Sequence, residues 1–307
     1  MKSVLAFAAT ALVLALPAGA PARTASDCSQ TSVATRPLTD LGKTKYHGYR
    51  GGLYGNGKNS PPKTYLKSGL TRAKAVKPIG GKIVLLSIGM SNTTQEFSAF
   101  KRIADADSRK NPALTIVDGA QGGQDAEIVK DPSARFWSVV DQRLVAAGVA
   151  SAQVQAVWLK EAIARESNPF PADAKRLKAD LAAIVGILRA RYPNLKLVYV
   201  SSRTYAGYAS TALNPEPFAY DSGFAVKWLV LDHIAGKTAG PWIAWGPYLW
   251  TNGEKGRKDG LVWTCADTRA DGTHPSPSGQ QKVAQLLLNF FTTNATARPW
   301  FLSSAAR

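Results

Sequence analysis

The chain is poor in the residues that most often mark a metalloprotein or a disulfide scaffold. It has 2 cysteines and 3 histidines in 307 residues, and no two of them fall at metal-ligand spacing. A small knotted fold is thereby excluded, and no metal or organic cofactor is expected. Acids are also scarce, 21 against 38 Lys and Arg, which leaves a formal charge of +17. Long apolar runs are missing beyond the first few residues. Val4 to Leu16 follows Lys2 and leads into Pro17-Ala-Gly-Ala. That run is too short for a membrane span and reads as a cleaved secretory leader over 1–22. We therefore expect a secreted or periplasmic protein with no integral membrane span. An oxidising compartment would let Cys28 and Cys265 pair, although their spacing does not decide it.

What is present is uneven. Between Arg36 and Lys82 there are eleven Lys or Arg and one acid, Asp40. The same stretch holds Gly51, Gly52, Gly55, Gly57, Pro61 and Pro62, so 23–80 is expected to be an extended, loop-rich wrap. Tyr46, Tyr49, Tyr54 and Tyr65 lie among the cations. The segment is either a set of solvated loops or a contact for an anionic polymer. Nucleic acid is not expected, because the charge sits on no recognisable reading element.

From Lys82 the chain alternates. Ile83 to Ile88 is apolar without polar alternation, as in a strand buried on both faces of a parallel sheet. Gly89 ends it, Met90 to Thr93 make a turn, and a helix is expected from about Thr94. Further strands are expected at Ala113–Val117, Val154–Leu159, Leu195–Val200 and Trp242–Trp245. Helices are expected at Pro132–Ala147, Pro171–Arg191, Ala219–Ala235 and Ser278–Phe291. Five strands separated by helices specify a three-layer α/β/α domain with a doubly wound, mostly parallel sheet. Every segment that follows a strand then emerges at one edge of that sheet.

The chemistry-bearing residues lie in those segments. Ser91 follows the first strand, where open α/β folds place ligands, and its alternative use is as a helix N-cap. Of the histidines, His47 sits in the basic segment and His233 on a helix. His274 ends Asp271-Gly-Thr-His-Pro, where a carboxylate three residues upstream can fix one imidazole nitrogen while the other faces a hydroxyl. An ordinary turn is the alternative for that stretch. Tyr248, Trp250 and Trp263 lie in the last long loop and suit a sugar face or simple packing. Asn92-Thr-Thr and Asn294-Ala-Thr match a glycosylation sequon, the first discounted because a glycan there would block Ser91.

Gly-Met-Ser-Asn at 89–92 with Asp-Gly-Thr-His-Pro at 271–275 resembles the first and last blocks of the SGNH (GDSL-like) hydrolases, and the Gly-x-Ser-Asn form is closer to their sialate O-acetylesterase-like branch. The resemblance runs over about 80–293, with the domain expected at 81–295 and 296–307 as a tail, and implies a flavodoxin-like fold. It also implies Ser91 as nucleophile, His274 as base and Asp271 as its partner. The oxyanion donors would be the N–H groups of Ser91 and Gly123, with Gly122 the fallback. The family's third block is missing. Val157-Trp-Leu-Lys-Glu stands there, leaving Lys160 as a substitute donor or as the ion-pair partner of Glu161 or another acid. The function implied is a secreted serine esterase acting on a short-acyl, carbohydrate-type ester, with Tyr248, Trp250 and Trp263 binding substrate. The alternatives are an acyltransferase with the same triad and a noncatalytic envelope glycan-binding protein.

Overall fold

The computed structural model describes residues 26–306; the expected leader lies outside the described residues. Five strands form the central sheet: β1 (Ile83–Gly89), β2 (Leu114–Asp118), β3 (Val154–Lys160), β4 (Leu197–Val200) and β5 (Trp242–Trp245). Every residue of β1, β3, β4 and β5 is buried, as uninterrupted apolar runs require. All pairings are parallel and the spatial order is β2-β1-β3-β4-β5. Helix α1 (Lys63–Lys74) precedes the sheet, and α2 (Ser91–Asp105), α3 (Arg135–Ala146), α4 (Ala172–Arg191), α5 (Phe218–Ile234) and α6 (Pro277–Thr293) follow its strands in turn.

The strand order sets the layers. The step from β1 to β2 runs one way across the sheet and the later steps run the other way. Right-handed crossovers then put α2 on one face and α3, α4 and α5 on the opposite one. After β5 the chain returns, and α6 packs on α2 while α4 packs on α5. The expected three-layer architecture is what the chain forms. Its direction reverses at β1, so the crevice for a ligand opens at the carboxyl end of that strand.

Two boundary expectations need correction. Of the expected wrap, residues 26–80 are described and are less loop-rich than their glycines suggest: α1 is a full helix, and Lys45–Tyr46 pairs antiparallel with Tyr49–Arg50. Their tyrosines carry the attachment. Tyr46 stacks on Phe224, Tyr65 stacks on Trp242, and the Tyr65 hydroxyl donates to the Ile243 carbonyl at 2.5 Å. The eleven cationic side chains between Arg36 and Lys82 all face solvent. Within the expected tail, residues 296–306 pack on the domain. Trp300 and Phe301 are buried against Phe291, and the Asn111 N–H donates to the Phe301 carbonyl at 2.8 Å.

Cys28 and Cys265 form a disulfide with a Cα–Cα distance of 5.4 Å. It ties the amino-terminal strap to the long loop between β5 and α6. Because it closes 237 residues, Cys28→Ser should lower stability by about 2–4 kcal/mol. Thermal unfolding without reductant reads this as a lower Tm, and an unchanged Tm would show that the strap is held by packing alone.

Candidate active site

β1 delivers its last residues to the crevice, and α2 starts at once. The helix begins at Ser91 and not at Thr94, because the polar residues of its first turn are bonded to neighbouring elements. Thr93 Oγ1 donates to the Lys160 carbonyl at 2.7 Å, and Thr94 Oγ1 donates to Asp118 Oδ2, which a turn further on also accepts from Ser98 Oγ at 2.9 Å. Met90, in extended conformation, is the residue that caps the helix, without a side-chain bond. Ser91 is therefore not spent as an N-cap. Its Oγ lies 2.8 Å from Nε2 of His274.

The other half of the pair is built by a turn. Asp271 Oδ1 accepts the backbone N–H groups of Thr273 and His274, each at 2.9 Å, and Oδ2 is 2.6 Å from His274 Nδ1. Gly272 makes the turn possible: its φ is +63°, and a Cβ there would sit 1.8 Å from the Tyr208 carbonyl oxygen. Burial pushes the Asp271 carboxyl up, but the N–H donors and the His274 ring outweigh it and hold it below the usual carboxylate range. An ionised carboxylate only accepts, so Nδ1 carries the proton and Nε2 is free to accept from the Ser91 hydroxyl. A second clasp joins the two halves. Asn92 Nδ2 donates to the Thr273 carbonyl at 2.8 Å, linking the residue after Ser91 to the residue before His274.

A cavity of about 450 Å³ opens at this pair, and all five strand ends contribute to its wall. Met90, Ser91 and Asn92 come after β1, Gly123 and Asp125 after β2, Arg165 after β3, Arg203 and Asn214 after β4, and His274 after β5. Gly123 has a left-handed φ of +71° and lines the cavity, whereas Gly122 does not. Arg165 and Asn214 are also left-handed, both at φ +57°. Strained backbone of that kind concentrates at ligand sites.

Four expected site residues are elsewhere. Lys160 is 1% exposed, and its Nζ bonds both carboxylate oxygens of Glu96 at 2.7 and 2.5 Å. An ammonium so engaged has no reach to the cavity, and its partner is Glu96 rather than Glu161. Tyr248, Trp250 and Trp263 are in the core, each with its polar tip satisfied there: the Tyr248 hydroxyl accepts the Leu38 N–H at 3.2 Å, Trp250 Nε1 donates to Glu216 at 2.7 Å and Trp263 Nε1 to the Leu249 carbonyl at 2.8 Å. Aromatic rings in a long loop satisfied packing before exposure. The sequence reading missed Asn92 and Asn214. Asn92 stands in the sequence as the end of the Gly-Met-Ser-Asn block and as a sequon, neither of which assigns it a bond to Thr273, and Asn214, before Pro215, carries the one available signal, a residue that tolerates left-handed backbone.

Behind the cavity wall burial raises two glutamates. Burial, reinforced by Asp125, pushes Glu161 well up, and burial, reinforced by Asp173, pushes Glu166 up to about 8. Glu166 accepts from the Asn214 side-chain amide. Burial lowers Lys160 to about 8 against the opposing pull of Glu96.

No family model matches the chain, and no curated protein matches it. Solved structures resemble it in fold. A GDSL-like lipase from Bacteroides thetaiotaomicron is 11% identical, with 73% of this chain and 95% of that one covered and a TM-score of 0.41. The periplasmic domain of a lipopolysaccharide acetyltransferase from Salmonella Paratyphi A is 15% identical over 75% and 89%, with a TM-score of 0.40. A Bacillus subtilis protein is 12% identical over 69% of this chain, which spans 56% of that protein's length, with a TM-score of 0.40.

Two predictions follow from the buried charges. Lys160→Met strands the Glu96 carboxylate and should cost about 3–5 kcal/mol, whereas adding Glu96→Leu to it should restore part of that, measured by denaturant unfolding. A double-variant loss equal to the sum of the Lys160→Met and Glu96→Leu losses would mean that the pair is not coupled. Glu166 is raised in the folded state, so the fold binds a proton that the unfolded chain releases above the ordinary glutamate range. Stability is therefore fully present at low pH and is lost as pH rises toward about 8. Tm should fall between pH 5 and 8, and Glu166→Gln should flatten that slope.

Proposed function

We propose that the chain is a serine hydrolase of the SGNH (GDSL-like) type, cleaving a short-acyl ester outside the cytoplasm through Ser91, His274 and Asp271. One observation carries this reading. The hydroxyl, imidazole and carboxylate stand in a single line of hydrogen bonds, 2.8 and 2.6 Å long, at the mouth of the cavity. The disulfide supports an oxidising compartment.

In the proposed reaction Ser91 Oγ attacks the ester carbonyl as His274 Nε2 takes its proton, and Asp271 stabilises the resulting imidazolium. The oxyanion of the tetrahedral intermediate is received by the N–H groups of Ser91 and Gly123. His274 then gives its proton to the departing alcohol as the C–O bond breaks, leaving an acyl-serine. Water repeats the sequence, releasing the carboxylic acid and restoring the hydroxyl. Lys160 has no part in it. The rings expected to receive a sugar lie in the core, so the reading assigns the ester chemistry and not a carbohydrate alcohol.

A fluorophosphonate probe should label one residue, Ser91, identified by peptide mapping. Ser91→Ala should abolish labelling and lower para-nitrophenyl acetate turnover by roughly 10⁴-fold. Turnover that persists unchanged in that variant would remove Ser91 from the mechanism.

A further inference from the structure

The cavity beside Ser91 is lined by a guanidinium that pairs directly with no carboxylate among the described residues. Arg203 follows β4 into the site, lines the cavity and is 2% exposed. A guanidinium keeps its proton and presents five donors, and buried ones are ordinarily paired with a carboxylate. This one is not. Its Nη1 reaches the Met90 thioether, a weak acceptor, at 3.7 Å, and its Nε is buried with no hydrogen-bond partner.

Four glutamates stand around it, and three of them are hydrogen-bonded to other groups. Glu96 holds Lys160, Glu216 accepts from Trp250 Nε1 and from the N–H groups of Ala206 and Tyr220, and Glu166 takes the Asn214 amide. Glu161 makes no hydrogen bond through either carboxyl oxygen. On the cavity wall itself the acid is Asp125, whose carboxylate accepts the Ile128 and Ala164 N–H groups at 3.2 and 2.9 Å. Arg165, exposed at the mouth, adds a second guanidinium. Two cations against one anion leave the wall with a single positive charge, matched by one carboxylate in the planar, two-pronged geometry a guanidinium favours.

We infer that Arg203, with Arg165 at the mouth, forms an anion subsite beside Ser91, and that the ester cleaved there carries a carboxylate. This rests on the reading of Ser91 as nucleophile. The carboxylate can belong to the acyl group or to the alcohol, and the chemistry at Arg203 is the same in both cases.

Two matched pairs of substrates separate the sources. Mono-para-nitrophenyl succinate against para-nitrophenyl butyrate tests a charge on the acyl side. Para-acetoxybenzoate against its methyl ester tests the alcohol side. The full chain should prefer the charged member of one pair by about tenfold or more in kcat/KM. Arg203→Met should bring that ratio close to one whatever the absolute rates, and Arg203→Lys should keep part of it. Arg165→Gln, at an exposed position where folding is not at stake, should lower the ratio several-fold and weaken competitive inhibition by succinate. Equal or inverted preference in both pairs overturns the subsite, as does a preference unmoved by either arginine variant. Neutral-ester turnover that Ser91→Ala abolishes, without any preference for charge, defeats the subsite alone. Turnover that survives Ser91→Ala defeats the hydrolase reading instead.

Discussion

Five strands pointing the same way is the constraint on which the site depends. A parallel ladder forces every strand's carboxyl end to one edge, so five connections with no sequence relation to one another must meet there. Ser91 and His274 are 183 positions apart, yet the first follows β1 and the second lies in the connection leaving β5. The return of α6 to the face of α2 closes the distance. The Asn92–Thr273 bond then fixes it locally, so the serine–histidine contact is held from both sides.

That edge is also where the fold tolerates its most costly groups. Lys160 and Glu96 are both essentially without solvent, a placement that hydrophobic residues of similar size would fill at no greater cost. Their positions give the pair a mechanical sense. Lys160 ends β3 opposite Gly89, and Glu96 lies on α2, five residues beyond the serine. The ion pair thus anchors the serine's helix to the strand beside β1. Glu166 accepts from the side-chain amide of Asn214, a residue with left-handed backbone. Side chains in this region tie one element to another, and Arg203 stands apart because its guanidinium pairs with no carboxylate among the described residues.

Much of the fold was legible because it rests on periodicity. The strand cores and the long helices follow from apolar runs and stripes, and Gly89, Gly148 and Pro193 punctuate them where local sterics require. The boundary at Ser91 was not legible, since the first turn of α2 is polar and its partners, Asp118 and the Lys160 carbonyl, come from other strands. Asp271 and His274 were readable as one unit because a single turn joins them. Lys160 was open between two roles in the sequence, as its choice of partner depends on a carboxylate 64 residues earlier. Burial decided the aromatic residues in the same way: a tryptophan in a loop gives no sign of which side it will face.

Those buried rings explain why His274 is where it is. The connection from β5 to α6 is far longer than most loops in compact domains, and a loop of that length does not by itself fix a side chain. Here it is fastened along its course. Trp250 is bonded to Glu216, Trp263 to the Leu249 carbonyl, Arg257 lies over Tyr248, and Cys265 is joined to Cys28. Asp267, three residues on from a capping threonine, receives Lys282 from α6 at 2.5 Å. By the time the chain reaches Asp271 it has little freedom left, and the turn that follows can set His274 against Ser91 with ångström accuracy. The aromatic residues act on the site at a distance: their packing energy becomes the rigidity of the loop, and that rigidity becomes the alignment of the imidazole.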